Sequence, residues 1–240
     1  MKPLDKFRGL TRAWRASAGN DPSDGPDFFQ DYLKVLEQQQ AMDTPIKDIE
    51  FVVLDTETTG YDPTRDRVVS FAALKVKGSE IDIRSAVDWR IRGQMPSSTG
   101  SIEIHGVLNN ELESGLPERR FVEELTKYIG SSIIVGYRPG FDLKMLNVTV
   151  KEQTAGGHLT NRTVDVFELG MRIDFPIKPS YINQELYRLD NQCKRYNIDQ
   201  PGRHTAMGDA YATAVLLLKQ LSRLEAKGVT TLKDLMRRYR

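Results

Sequence analysis

The hydrophobic pattern from residue 49 onward predicts a sheet that begins with a hairpin-like group of strands. Residues 49–54 form a short run of branched, apolar side chains, as expected of a buried central strand. Residues 68–76 and 81–91 are two further strand-like segments, and the polar residues 77–80 between them are typical of a hairpin connection.

After this group the pattern alternates between helical and strand-like segments. In residues 117–129, Phe121, Leu125 and Ile129 recur four apart, which predicts a helix with one apolar face. Two more strands are expected at 133–137 and 163–166. Further helices are expected from about 141, around 182–196, over roughly 205–226, and over 231–239 at the end. Three strands followed by this alternation predict an α/β sandwich around a mixed sheet.

The chain divides into three expected parts. Residues 17–26 are rich in Gly, Pro, Asp and Ser, which favour turns, and the helical spacing of apolar residues resumes at 27–40. We therefore expect residues 1–46 to form a helical appendage with a linker. The main domain is expected to span residues 47–226, and a basic C-terminal helix over residues 227–240 is expected to pack on it.

Composition narrows the class of protein. Hydrophobic residues make up 39% and charged residues 28% of the chain, as is usual for globular proteins. No apolar run is long enough to cross a bilayer, and the basic N-terminus lacks the apolar stretch of a signal peptide. Cys193 is the only cysteine, which excludes an internal disulfide or a multi-cysteine zinc site. A cytoplasmic protein without membrane association is expected.

The net charge of +1 hides an uneven distribution. Residues 1–20 hold five basic side chains and one acidic one, and residues 219–240 hold seven basic and two acidic ones, so the centre is acidic. Basic ends could suit a phosphate backbone, and an acidic centre could suit a divalent metal. Ordinary solvated faces explain each end taken alone equally well.

A pair of acids follows the first predicted strand. Asp55 and Glu57 lie in the sequence LDTETTG, where strand alternation directs both side chains to one side. We expect them at the strand end. Two such carboxylates repel each other and lose hydration unless a cation compensates them, and Mg²⁺ or Mn²⁺ prefers oxygen ligands of this kind. Alone, a short Asp-x-Glu motif is more often a surface pair.

Two further segments supply acids and a histidine. Asp142 follows the strand at 133–137 and falls at the start of the next helix, which it could instead cap. His204 lies just before the last long helix, and Asp209 lies within it among small residues. Taken singly, His204 could be an ordinary loop histidine and Asp209 a solvated helix residue.

The order Asp-x-Glu, Phe-Asp, His-x-x-x-x-Asp resembles the DEDDh branch of the DnaQ-like 3′–5′ exonucleases, a family that includes the proofreading epsilon subunit of bacterial DNA polymerase III. The resemblance covers roughly residues 49–224. All five family positions are filled, by Asp55, Glu57, Asp142, His204 and Asp209. Residues 136–140, GYRPG, depart from the His-Asn that many relatives carry there, and look like a subgroup of stand-alone, epsilon-like exonucleases.

The resemblance implies a ribonuclease H-like fold, with a mixed five-stranded central sheet and helices on both faces. It also implies two divalent ions, Mg²⁺ or Mn²⁺, about 3.5–4 Å apart. Asp55 would bridge them, Glu57 and Asp209 would complete one site, and Asp142 would assist the second. His204 would take the proton from the attacking water.

Substrate contacts are expected from Thr58 and His105. Thr58 follows the acid pair, although the turn there also favours a threonine. His105 lies in the sequence IHGV, which looks like the family's His-Gly-Ile stretch, and shaping a turn is its alternative role. Trp14 and Trp89 could stack on bases, but isolated tryptophans are more often packing residues.

The expected activity is a metal-dependent 3′–5′ exonuclease that hydrolyses phosphodiester bonds at the 3′ end of single-stranded DNA and releases nucleoside monophosphates. Two alternatives stay open: the same chemistry on RNA or short oligoribonucleotides, and a non-catalytic module that binds nucleic acid or a polymerase. DNA is the expected nucleic-acid partner ahead of RNA, with a DNA polymerase or repair protein as the protein partner.

Overall fold

The computed structural model describes residues 25–92, 114–175, 177 and 179–237. Its centre is a sheet of five strands: β1 (Glu50–Thr58), β2 (Val68–Lys77), β3 (Glu80–Arg90), β4 (Ile133–Gly136) and β5 (Thr163–Asp165). The spatial order is β3-β2-β1-β4-β5. The strands β1, β2 and β3 pair antiparallel, whereas β4 lies parallel to both β1 and β5. The predicted mixed five-stranded sheet is confirmed.

The helices surround this sheet. They are α1 (Asp27–Leu36), α2 (Glu118–Ile129), α3 (Gly140–Gln153), α4 (Val166–Asp174), α5 (Leu189–Arg195), α6 (Ala206–Glu225) and α7 (Leu232–Leu235). The sequence pattern did not predict α4, because its apolar residues follow β5 without a break. Asp165 separates the two elements, since its carboxylate accepts a hydrogen bond from the Phe167 N–H and caps the helix.

The two faces of the sheet carry different helices. Val52 and Leu54 of β1 point into a buried layer that contains residues of α1, α2 and α3. Phe51 and Val53 point the other way, into a layer with residues of α4, α5, α6 and α7. The prediction of helices on both faces is confirmed, and β1 is central to both layers.

The segment before β1 is hydrogen-bonded to the segment after α6. The Ile46 N–H donates to the Thr230 carbonyl (2.9 Å), and the Leu232 N–H donates to the Thr44 carbonyl (2.9 Å). Phe29 of α1 is 1% exposed within the α2–α3 layer. Boundaries at residues 46 and 226 stay a prediction. None of the helices in the described ranges has both the length and the apolar character needed to cross a membrane.

Candidate active site

Asp55 and Glu57 lie on the face of β1 that is covered by α6. Strand alternation places them on the same side as Phe51 and Val53, which pack in the α6 layer. Both acids lie within the last four residues of β1, as expected. The strand continues to Thr58 because its pairing with β2 continues, with a register shift only after Glu57.

Asp209 in the first turn of α6 completes a group of three carboxylates. One ligand oxygen from each of Asp55, Glu57 and Asp209 lies within 4.8 Å of the others. Oδ1 of Asp209 is buried and has no hydrogen-bond partner among the described residues. A hard divalent cation prefers such oxygen ligands, and it would satisfy a buried oxygen of this kind. The donor set therefore fits a divalent cation.

A tight turn fixes the start of α6. The Thr205 side chain accepts a hydrogen bond from the Gly208 N–H (3.1 Å) and donates one to the Gly202 carbonyl (2.6 Å). The turn lies so close to the helix that a Cβ at Gly208 would be 2.0 Å from the Gly202 carbonyl oxygen. Only glycine at position 208 allows this approach, and the turn carries Arg203 and His204.

His204 occupies this turn in a left-handed conformation, with φ at +65°. The residue is exposed, five positions before Asp209. A non-glycine residue in this region is strained by about 1–3 kcal/mol, and such strain clusters at functional sites. The left-handed backbone thus carries an exposed side chain in the turn that leads into the helix of Asp209.

Asp142 lies in the first turn of α3 but does not cap that helix. Its Oδ1 accepts hydrogen bonds from the Thr56 N–H (3.1 Å) and from the Thr56 hydroxyl (2.6 Å). Asp142 is 5% exposed. A fourth acid is thus attached to β1 between Asp55 and Glu57, although it is outside the group of three.

Burial raises the pKa of the carboxyl groups in this cluster. The pKa of Asp55 lies well above its usual range because of burial, followed by repulsion from Asp142 and Asp209. Burial raises the pKa of Glu57 to about 7, and it also raises the pKa of Asp209. Burial raises the pKa of Asp142 to about 7 as well, although hydrogen bonds from Thr56 act against it. Burial, and to a smaller extent mutual repulsion, therefore destabilises the ionised form of these carboxyl groups.

Arg203, a residue that the sequence pattern did not indicate, supplies positive charge next to these acids and opposes the rise in pKa that burial causes in Asp55, Glu57 and Asp209. Its Nη1 donates to Oδ2 of Asp209 and its Nε donates to Oδ1 of Asp190 in α5. Its position next to His204 was a usable signal, as was the position of Thr56 between the two acids of the first motif. No local pattern connects Asp190 with Arg203.

The predicted substrate contacts have different outcomes. The Thr58 hydroxyl is directed into its own turn, where it donates to the Gly60 carbonyl (2.8 Å). His105 and Trp14 lie outside the described residues. Trp89 packs on the Phe71 ring at a centroid distance of 5.4 Å, as expected of a tryptophan with a packing role.

An aromatic pair that the sequence analysis did not single out lies next to Asp142. Tyr61 is 86% exposed, and its ring centroid is 5.8 Å from that of Phe141. An exposed aromatic ring beside another is a surface on which a nucleobase can stack.

The chain is similar to known proteins over most of its length. A model of the RNase_T exonuclease family matches residues 52–217. The DNA polymerase III PolC-type protein of Bacillus subtilis is 32% identical over 179 residues, which are 75% of this chain and 12% of that protein. A DNA polymerase III subunit epsilon-like protein of Rhodobacter capsulatus is 28% identical over 190 residues, which are 79% of this chain and 26% of that protein. The chain therefore spans no more than about a quarter of these two relatives.

Similarity to solved structures extends to the fold. The zinc-bound form of the E. coli exonuclease I complex with single-stranded DNA superimposes with a TM-score of 0.59 at 24% sequence identity. The match covers 75% of this chain and 42% of that one.

Proposed function

Because the chain belongs to the RNase_T exonuclease family, we propose that it hydrolyses phosphodiester bonds at the 3′ end of single-stranded DNA and releases nucleoside monophosphates. Family membership confirms the exonuclease resemblance of the motifs, and the structural similarity to exonuclease I confirms the ribonuclease H-like fold. The observation that carries the proposal is the meeting of Asp55, Glu57 and Asp209, with ligand oxygens within 4.8 Å of one another.

The acids would hold two divalent ions. Asp55, Glu57 and Asp209 would bind one, and Asp142 would contribute to the second together with Asp55. Bound Mg²⁺ or Mn²⁺ stabilises negative charge on the scissile phosphate and lowers the pKa of the attacking water. The raised pKa values of the cluster and the partnerless Oδ1 of Asp209 support this assignment. The zinc ion in the exonuclease I structure also supports a divalent cation.

His204 would be the general base. Imidazole is the side chain best suited to accept a proton near neutral pH. The turn before α6 keeps the imidazole exposed, so that water at the acid cluster could reach it. The capping contacts of Thr205 would fix its position.

The 3′-terminal nucleotide would be bound beside Asp142. The Tyr61–Phe141 pair would stack on a base, and Thr58 and His105 stay proposed contacts. The single-stranded DNA in the exonuclease I structure supports DNA as the substrate. The similarity to polymerase III proteins supports a DNA polymerase as the protein partner.

The test is hydrolysis of 5′-labelled single-stranded DNA and RNA of matched sequence with Mg²⁺, Mn²⁺ or EDTA. We expect a ladder that shortens from the 3′ end of the DNA, requires metal and is lost in Asp55→Ala. Preference for the RNA would reassign the substrate. A folded wild-type protein that cleaves neither the DNA nor the RNA with either metal would contradict the proposed activity.

A further inference from the structure

We infer that Arg203 competes with a divalent cation for the carboxylate of Asp209, and that Asp190 sets the strength of this competition by holding the other side of the guanidinium. The inference rests on the metal chemistry proposed above and adds to it two residues that are not among the five acid and histidine positions of the family. It makes Arg203 and Asp190 positioning residues rather than catalytic ones.

One guanidinium bridges two carboxylates from different helices. Nη1 of Arg203 donates to Oδ2 of Asp209 in α6, and Nε donates to Oδ1 of Asp190 in α5. The exposed fractions of the side chains are 26% for Arg203, 11% for Asp209 and 38% for Asp190. Arginine does not lose its proton in proteins, so the group that is hydrogen-bonded to Asp209 is positively charged at any working pH.

That charge lies where it opposes a cation. Oδ2 of Asp209 is bonded to Arg203, whereas Oδ1 has no partner among the residues that the structure describes. A cation bound by Asp55, Glu57 and Asp209 would share the last carboxylate with Arg203. The guanidinium of Arg203 and the cation would repel each other, and both would be attracted by the same single negative charge of Asp209.

Asp190 has the opposite effect. It lies in the first turn of α5 and is not one of the three clustered acids. Its carboxylate offers the guanidinium a second acceptor and neutralises part of the charge. Without that carboxylate, Arg203 would keep only Asp209 as a partner and would hold it more strongly. Removal of Asp190 and removal of Arg203 should therefore change cation affinity in opposite directions.

The experiment measures Mn²⁺ binding to the full chain by calorimetry after EDTA treatment and dialysis. Arg203→Gln should bind Mn²⁺ roughly tenfold more tightly, since one charge a few ångströms from a divalent ion has an effect of this size even at a water-like dielectric constant. In EDTA, the Arg203→Gln variant should also unfold at a lower temperature than the wild type. Asp190→Asn should bind Mn²⁺ several-fold more weakly. Arg195→Gln removes the same charge from an ion pair with Asp174 and should leave the affinity unchanged.

The two substitutions are expected to change Mn²⁺ affinity in opposite directions, so either variant gives a test if the other folds poorly. Asp190→Asn leaves all four acids, Arg203 and His204 in place, so an unchanged or tighter Mn²⁺ affinity there would overturn the inference alone. Unchanged or weaker binding by folded Arg203→Gln would overturn it too. Absence of Mn²⁺ binding by the wild type would overturn the proposed metal chemistry first, and this inference with it.

Discussion

Thr56 donates two hydrogen bonds to the same oxygen of Asp142, one from its backbone N–H (3.1 Å) and one from its hydroxyl (2.6 Å). The two residues are 86 positions apart in the chain. Thr56 lies between Asp55 and Glu57 and points to the opposite face of β1. One strand thus carries Asp55 and Glu57 on one face and, through Thr56 between them, is hydrogen-bonded to a third acid, Asp142.

The first prediction concerns this contact. Thr56→Val keeps the shape and the backbone donor but removes the hydroxyl, and a hydrogen bond to a charged group contributes about 1.5–3 kcal/mol. We expect metal-dependent turnover to fall about tenfold or more because Asp142 is less well oriented. Steady-state hydrolysis and thermal unfolding check this. Thr126→Val is the control, since its buried hydroxyl donates to the Val122 carbonyl in α2, away from the site. An equal loss of turnover in both variants would contradict the positioning role.

The same contact marks the limit of what the sequence can predict. Asp55 and Glu57 are on one face because a strand alternates, and Asp209 is at the start of α6 because small residues and a Thr205 cap precede it. These are local rules, so the acids of the motifs were predictable. The bond from Thr56 to Asp142 joins distant segments, and no periodicity encodes it.

The missing elements have similar causes. Helix α4 was not predicted because it follows β5 directly, and only the hydrogen bond from the Phe167 N–H to Asp165 marks the boundary between the two elements. The bridge from Arg203 to Asp190 depends on how α5 packs beside α6, which is a tertiary relationship. Residues that act through distant partners can be identified only from the structure, whereas residues placed by the regular spacing of one strand or helix can be predicted from the sequence.

The second prediction concerns the general base. His204→Ala should cut turnover by about 10²–10⁴-fold, the usual contribution of a general base, while Mn²⁺ binding is largely kept. His204→Gly should lose as much activity yet be more stable than the alanine variant by roughly 1 kcal/mol, because φ is +65° at this position. Single-turnover hydrolysis and denaturant unfolding measure the two effects. Wild-type turnover in His204→Ala would exclude the histidine from the mechanism.

A third prediction concerns the aromatic pair. Stacking contributes about 1–3 kcal/mol per base, so Tyr61→Ala should raise KM for single-stranded DNA by roughly 5- to 150-fold with little change in kcat. Tyr61→Phe should keep the wild-type KM because it keeps the ring. The residue is 86% exposed, so neither variant should change the unfolding temperature much. An unchanged KM in Tyr61→Ala would show that no base stacks there.

The fourth prediction is a pH dependence of stability in EDTA. The pKa values of Glu57 and Asp142 are both raised to about 7, whereas carboxyl groups in the unfolded chain titrate near 4. The folded protein therefore binds more protons than the unfolded chain between about pH 4 and 7. The free energy of unfolding should fall as pH rises through this window. Glu57→Gln should reduce the slope, and excess Mn²⁺ should raise the unfolding temperature most at the upper end. A slope that Glu57→Gln leaves unchanged would contradict the raised pKa of Glu57.

The last prediction tests the close approach that presents His204. Alanine is a better helix former than glycine, so Gly208→Ala would stabilise an isolated helix by up to about 1 kcal/mol. Here its Cβ would be 2.0 Å from the Gly202 carbonyl oxygen, and backbone cannot rotate away as a flexible side chain can. The turn with Arg203 and His204 must therefore shift. We expect a net destabilisation of about 1–3 kcal/mol, as for overpacked sites, and a loss of turnover larger than the loss of stability explains.

Gly140→Ala is the matched control for this substitution. Gly140 is the first residue of α3, two positions before Asp142, and a Cβ there would have no atom within 4 Å. It should be neutral or stabilising by up to about 1 kcal/mol, because alanine restricts the unfolded chain more than glycine does. Thermal unfolding and DNA hydrolysis of both variants give the comparison. Equal stability and activity in the two would mean that the turn does not press on α6. A loss confined to Gly208→Ala would show that the position of His204 depends on that contact.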